Sequence, residues 1–368
     1  LKRMDKLASQ TTFRAKNRTL ARTVMALRTA FMRCAAGVLV MTLGTLVAAQ
    51  TKSPSVAPTA VDGKVADRSV SDWLLRMHEA SRQRAYVGTF VVSVGGAMSS
   101  ARIWHVCDGE QQMERVEALT GAPRSTFRHN DQVVTFLPES RVVVAEKRES
   151  LGLFPNLLQS NDSSIAQFYS AQATGRERVA GFETDMLQLR PADSLRYGYR
   201  VWTEKKTGLV VKLQTLDGDG HVLEQAAFSE LQLDVPVSMA KLTQMMSNTE
   251  GYQVEKPEMV KTTAAAEGWV LKNTVPGFKP MSCYRRSVGA GADARHENTL
   301  QWIFSDGLAS VSLFVEVYDP QRHGQPGSLA MGATHTLTRR IGDWWLTVVG
   351  EVPPQTLAAF AQGLERKK

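Results

Sequence analysis

Cysteine is scarce in this chain, at three residues in 368. Cys34 falls in a segment read below as removable, which leaves Cys107 and Cys283 far apart in sequence. Two isolated cysteines are not the disulfide framework that staples small secreted domains, although a single bridge between them stays open. Catalytic signatures are also missing. There is no GxSxG elbow, phosphate loop, dinucleotide fingerprint or HExxH helix. Carboxylates are scattered with no pair to nominate, and the seven histidines lack metal-ligand spacing. These absences lower the case for an enzyme and raise that for a binding protein. Beyond the N-terminal segment no long apolar run occurs, which excludes a multi-span membrane protein. No internal repeat stands out.

Positive charge is missing where the overall balance suggests it. The chain carries a formal net charge of +8, which invites a nucleic-acid reading. Residues 1–49, however, hold nine of the 44 basic residues and one of the 36 acidic ones, leaving equal numbers of each sign in the rest. A neutral body has no excess field to attract a polyanion, so no nucleic-acid partner is expected.

What is present begins with a targeting signal. The chain is basic up to Arg33 and then uncharged from Cys34 to Thr51, with the apolar run Ala35–Met41 and a small-residue end at Val47-Ala48-Ala49. This pattern predicts export with cleavage after Ala49. The basic stretch is long and residue 1 is Leu, so Met25 is expected as the start, giving a signal of ordinary length. An uncleaved anchor is the alternative, but eighteen uncharged residues including Thr and Gly barely span a bilayer. No Cys follows the run at a lipoprotein position.

Residues 50–66 read as a flexible lead-in. Val70, Trp73, Leu74 and Met77 then form one helical face, capped by Asp67 or Ser69. From Tyr86 to Leu233 strands alternate with turns. Val133–Leu137 and Arg141–Val144 flank Pro138-Glu139-Ser140, Tyr197–Glu204 and Leu209–Leu216 flank Lys205–Gly208, and Asp217-Gly218-Asp219-Gly220 leads into Val222–Leu233. Successive hairpins predict an antiparallel meander rather than βαβ units. The apolar stretch Leu151–Leu158 breaks the pattern, and Ser164–Ser170 reads as helical. Residues 238–262, with a helix at Met239–Met246, form the linker between a larger unit at 67–237 and a smaller one at 263–368. In the latter, Trp302–Phe304, Leu308–Tyr318, Ala333–Arg340 and Trp344–Val352 read as strands. A C-terminal helix opens at Pro353-Pro354 and carries Leu357, Phe360, Ala361 and Leu364. The fold class is α+β, with helices packed on antiparallel sheets.

Few residues suggest chemistry. His105 and Cys107 share a strand face and could supply two zinc ligands, though no third accompanies them. Asp217–Gly220 resembles the start of a calcium loop, but position twelve is Phe228, so a hairpin turn is the better reading. Leu151, Leu153, Phe154, Leu157 and Leu158 could line or cover an apolar cavity, or tuck into the core. Trp302, Trp344 and Trp345 are interface anchors or core, and Arg285-Arg286 and Arg339-Arg340 pair with a partner's acids or lie solvated. No cofactor is expected.

Trp73–Met77 followed by Tyr86–Phe90, and then Gly277-Phe278, Arg285-Arg286, Phe304–Glu316 and Trp345–Pro353, resemble the MucB/RseB family of periplasmic sigma-E regulatory proteins. The Phe304–Glu316 and Trp345–Pro353 stretches are the specific part. The resemblance implies a larger unit of LolA type, a curved antiparallel half-barrel around an apolar cavity, and a smaller unit with a helix on a sheet. It further implies binding to the periplasmic region of a membrane anti-sigma factor of RseA/MucA type, which shields that region from the first regulatory protease. Release would follow from acylated lipid, lipoprotein or lipopolysaccharide. Self-association stays open. The competing readings are a periplasmic lipid or lipoprotein carrier, and a hydrolase or metal enzyme built on His105 and Cys107.

Overall fold

The computed structural model describes residues 69–147, 163–288 and 297–367. The targeting segment, the lead-in up to residue 68 and the Leu151–Leu158 stretch lie outside the described residues. Helix α1 (Val70–Gln83) starts where the sequence places it. Ser69 Oγ accepts the Asp72 N–H at 3.1 Å and the Ser69 N–H donates to the Asp72 carboxylate at 3.2 Å, a reciprocal cap that satisfies two otherwise orphan donors.

The chain then builds β1 (Tyr86–Val94), β2 (Ala97–Cys107), β3 (Gln112–Ala118), β4 (Ser125–His129), β5 (Gln132–Leu137) and β6 (Val142–Lys147). There follow β7 (Tyr169–Val179), β8 (Phe182–Pro191), β9 (Gly198–Glu204), β10 (Val210–Leu216) and β11 (Val222–Leu233), then helix α2 (Met239–Ser247) and β12 (Gln253–Glu255). These strands form one sheet in the order β12-β6-β5-β4-β3-β2-β1-β11-β10-β9-β8-β7. It is a meander closed onto β1 by β11, curved but not a closed barrel. Every pairing is antiparallel except the edge pair β12–β6.

The register decides which face each helix covers. Gly88 opposes Ile103, and Ile103 opposes Val116, so these residues share a face with Tyr86 and Phe90. Through Val92, Ala226, Leu213 and Val201 the same face continues to Leu187 and Leu189. Trp73, Leu74 and Met77 of α1 pack against it. Met113 lies three residues from Val116, hence on the other face, and there it meets Phe127, Phe136, Val143 and the α2 residues Leu242 and Met246. The two helices therefore cover opposite faces.

The second unit comprises β13 (Glu258–Lys261), β14 (Trp269–Leu271), β15 (Lys279–Val288), β16 (Glu297–Ser305), β17 (Ser310–Val317), β18 (Gly327–Met331), β19 (Thr334–Ile341), β20 (Trp344–Gly350), α3 (Pro354–Gly363) and β21 (Leu364–Arg366). Seven strands pair in the order β13-β15-β16-β17-β20-β19-β18, and β14 pairs with β21. Phe360, fully buried, packs edge-on to Phe278 at 5.7 Å and lies 4.9 Å from Phe304, placing α3 over the sheet.

The architecture is thus α+β as expected, a large curved sheet and a smaller antiparallel sheet with a packed helix. Local readings differ in three places. Ser164–Ser170 is helical only as far as Gln167, in a short 3₁₀ helix over Ser163–Gln167, and Tyr169 already enters the ladder opposite Pro191. The C-terminal helix stops at Gly363, whose lack of a side chain lets it approach the Asn273 backbone, and Leu364 passes into β21. The segment 238–262 carries, besides its helix, one short strand for each sheet.

Candidate functional site at the interface of the two units

The loop between β8 and β9, Ala192–Tyr197, crosses from one unit to the other. Asp193 shapes it by accepting the Leu195 N–H at 3.0 Å, a turn that short acidic side chains favour. This turns Leu195 outward into the apolar cluster of the small unit. Opposite, the Ser305-Asp306-Gly307 turn after β16 reaches back. Asp306 accepts the N–H groups of Leu308 and Ala309 at 3.0 and 2.8 Å, and Leu308 packs into the cluster formed by α1, Ile165 and Tyr169. Each unit lends a leucine to the other's core.

Arg196 fixes this exchange. Its side chain is fully buried between the rings of Phe168 and Phe278, with the guanidinium carbon 4.4 and 5.0 Å from their centroids. Its Nε donates to Asp306 Oδ2 at 2.9 Å, one terminal nitrogen donates to Asp193 Oδ2 at 2.5 Å, and the other to the Pro276 carbonyl. The Tyr169 hydroxyl donates to the same Asp306 oxygen at 3.1 Å. Burial pushes the Asp306 carboxyl above its usual range, while the two backbone N–H donors, Arg196 and Tyr169 oppose that push. An arginine cannot shed its proton, so a buried guanidinium here requires a carboxylate beside it. Burial, then the negative charge of Asp306, lifts the Tyr169 phenol well above its ordinary value, so it remains a donor. The first turn of α3 completes the contact. Thr356 Oγ1 donates to the Leu195 carbonyl at 2.7 Å and Gln355 to the Ser194 carbonyl at 2.6 Å.

Gly277 is the tightest point. It sits at φ +82°, where side chains are strained, and a Cβ would overlap the Arg196 guanidinium and approach the Phe168 ring at 2.8 Å. Gly277→Ala is therefore expected to cost about 2–3 kcal/mol through backbone strain and overpacking. Denaturant unfolding measures it as a lower midpoint at unchanged slope.

Four further contacts join the units. The tip between β18 and β19 touches β11, with the Ala333 N–H donating to Glu224 at 3.4 Å and Tyr197 meeting His335 Nδ1 at 3.4 Å. Arg286 on β15 meets Glu146 on β6 at 3.4 Å, and Lys279 donates to Ser164 at 3.1 Å.

Apart from Arg286, the described residues singled out from sequence lie elsewhere. His105 is buried, stacked 4.8 Å from the Tyr86 ring, with Nδ1 3.5 Å from a Glu114 oxygen. Cys107 is half-buried at the end of β2, Cys283 is buried on β15, and both are free, so they do not form a bridge. Among the described residues the side chains grouped closely enough to hold a metal are Asp217, Asp219 and His221, not His105 and Cys107. In that turn Asp217 already accepts the N–H groups of Asp219 and His221, which is what a hairpin turn requires. The tryptophans pack internally: Trp302 lies 4.6 Å from Phe304, Trp344 meets Trp269 edge-on at 5.6 Å, and Trp345 stacks on His323 at 5.0 Å. The arginine pairs are engaged within the chain. Arg285 pairs with Glu267, Arg339 donates to the Ala361 carbonyl and Arg340 lies over Tyr318. Sequence reasoning missed the grouping of Tyr169, Arg196 and Asp306. The one available signal was that Asp306 lies in the Phe304–Glu316 stretch carrying the family resemblance.

Comparison with known proteins places these units. The profile of the MucB/RseB N-terminal domain matches residues 69–246, and that of the MucB/RseB C-terminal domain matches residues 263–365. The sigma factor AlgU regulatory protein MucB of Pseudomonas aeruginosa is 29% identical over 296 residues, covering 79% of this chain and 89% of that protein. The sigma-E factor regulatory protein RseB of Escherichia coli is 22% identical over 295 residues, with the same coverage of 79% and 89%. A crystal structure of MucB in complex with MucA(peri) superposes with a TM-score of 0.61 at 25% identity, covering 81% of this chain and 99% of that one. Both profiles match, in order, and together take in the sheet on each side of the Arg196–Asp306 contact; the protein belongs to the MucB/RseB family.

Proposed function

We propose that this chain is a negative regulator of an envelope-stress sigma factor, acting by binding the periplasmic region of a membrane anti-sigma factor. The observation that carries the reading is the two-unit match to MucB, a protein crystallised with MucA(peri), over nearly its whole length. The chain is exported, its targeting segment is removed after Ala49, and it works in the periplasm. Among the described residues no helix is long and apolar enough to cross a membrane. Residues 67–237 and 263–368 act as the two binding units around the linker 238–262. Bound, the chain shields its partner from regulated proteolysis.

Release follows from an acylated ligand that binds the partner-free form better. A tenfold weakening needs about 1.4 kcal/mol of coupling, which burial of a few methylene groups at about 0.8 kcal/mol each can supply. Leu151, Leu153, Phe154, Leu157 and Leu158 are the proposed cavity cover. In a pull-down with the periplasmic segment of the host's anti-sigma factor, added lipopolysaccharide should elute the chain and expose the segment to protease. Replacing Leu153 and Phe154 by Ser should blunt that elution by about tenfold in ligand concentration. Unchanged elution removes the loop from the mechanism, and failure to capture the segment at all removes the function.

A simple carrier of lipid or lipoprotein is the second reading. It leaves the small unit, bolted on through a buried ion pair, without a role.

A further inference from the structure

The face of the large sheet that α2 covers continues past the helix along β2 and β3. Trp104 lies at the edge of the covered part. It packs against the cluster of Met113, Phe127 and α2, and its register partner on β3 is Arg115. Two guanidiniums lie over its ring, with the central carbon of Arg115 4.7 Å and that of Arg102 5.4 Å from the centroid. Arg115 also lies 5.6 Å from the Phe127 ring. One carboxylate serves the pair. Glu117 stands opposite Arg102 in the ladder, yet its Oε2 accepts from Arg115 at 2.9 Å. Among the described residues Arg102 makes no hydrogen bond and no ion pair, and the Nε atoms of both arginines are shielded from water without an acceptor. A guanidinium cannot shed its proton, so a half-buried one lacking a carboxylate is costly, and the face of a ring offsets only part of that cost.

The surface beside this stack is apolar. Met98, four residues before Arg102 on β2, and Leu119, two after Glu117, share its face by the period of two. They are 71% and 51% exposed. The Leu119 N–H donates to the Ser100 carbonyl at 2.9 Å, which holds Leu119 beside β2. The level of Leu119 is thus two residues from Arg102, about 7 Å along the strand.

We propose that Arg102, Arg115 and Trp104 form a carboxylate receptor for an acidic peptide segment of a partner protein, and that Glu117 occupies half of the receptor until the partner displaces it. A planar guanidinium grips a carboxylate through two parallel hydrogen bonds, and one already stacked on a ring has little side-chain freedom left to lose on binding. Met98 and Leu119 take the apolar side chains next to the acid. A spacing of about 7 Å is that of residues i and i+2 on one face of an extended peptide. A lipid surface fits less well. Cations that meet a membrane reach out on extended stems, whereas Arg115 is held against two rings with its side chain 18% exposed. The receptor lies on the sheet face opposite α1 and does not depend on the anti-sigma reading.

Titration of the intact mature chain with acetyl-Leu-Ser-Glu-Ser-Leu-amide tests it, followed by the Trp104 indole N–H resonance, which Trp104→Phe identifies by its loss. The resonance should move saturably. The same peptide with Gln in place of Glu should bind about tenfold more weakly to the wild type. Arg102→Gln should weaken the Glu peptide by about tenfold while the rest of the spectrum is retained. Arg102→Lys, which keeps the charge but not the planar fork, should not restore binding. Glu117→Gln should instead bind the Glu peptide about fivefold more tightly, because Arg115 is then released to the ligand. A motionless resonance, equal binding of the two peptides, wild-type affinity in Arg102→Gln, or weaker binding in Glu117→Gln overturns the inference. So does a Trp104 shift caused by phosphatidylglycerol vesicles and not by the peptide, which would assign the patch to a lipid surface.

Discussion

Arg196→Ala is expected to destabilise the protein by about 3–5 kcal/mol, the range for removing one partner of a buried ion pair. Nothing in the site can compensate. Asp306 would keep Tyr169 and two backbone donors but lose the cation beside it, and the Pro276 carbonyl would lose the guanidinium donor. The space between Phe168 and Phe278 would be left as a cavity. Calorimetry should record an apparent melting temperature lower by roughly 10 °C. The two units should also melt in separate steps, because the leucines they exchange are held in register by this contact. A double replacement, Arg196→Met with Asp306→Asn, removes both charges together and should recover much of the loss. A shift of Arg196→Ala within about 0.5 kcal/mol, as for an exposed ion pair, would show that the contact does not hold the units together.

The second large effect is expected at Phe360. Phe360→Ala should cost about 3–5 kcal/mol, because a fully buried ring is removed from between two others and the backbone of α3 cannot collapse to fill the space. The loss should be local. Of the seven tryptophans, Trp269, Trp302, Trp344 and Trp345 lie in the small unit and Trp73, Trp104 and Trp202 in the large one. Hydrogen exchange should therefore find the small sheet and the α3 clasp on Ser194 and Leu195 opened at temperatures where the β1–β2–β11 ladder is still protected. Simultaneous loss of protection in both sheets would make the chain a single cooperative unit and remove the two-unit description.

Legibility in the sequence followed from whether a residue's neighbours in space are also its neighbours in the chain. Helix α1 could be read because Val70, Trp73, Leu74 and Met77 all bury on one face and its cap lies one residue upstream. The hairpins at Pro138–Ser140, Lys205–Gly208 and Asp217–Gly220 could be read because the turn residues themselves demand the reversal. Tyr169 was misread because a polar, helix-compatible context precedes it, and what places it in a strand is the ladder to Pro191 and the hydroxyl bond to Asp306. Leu364 was misread as helix because its spacing fits the stripe, while its real partner, Leu271, lies far upstream. Arg196 and Asp306 sit 110 residues apart, and no local pattern announces such a pair. The resemblance at Phe304–Glu316 pointed to the right stretch without saying what Asp306 does there.

The central claim, that this chain holds the periplasmic region of a membrane anti-sigma factor, is tested most directly by titration calorimetry of the mature chain with that segment from its own host. A saturable complex with a defined stoichiometry is the predicted result, weakened in Arg196→Ala if the joined arrangement of the two units forms the binding surface. No detectable heat or complex with the folded wild-type chain, across salt and pH, would contradict the account.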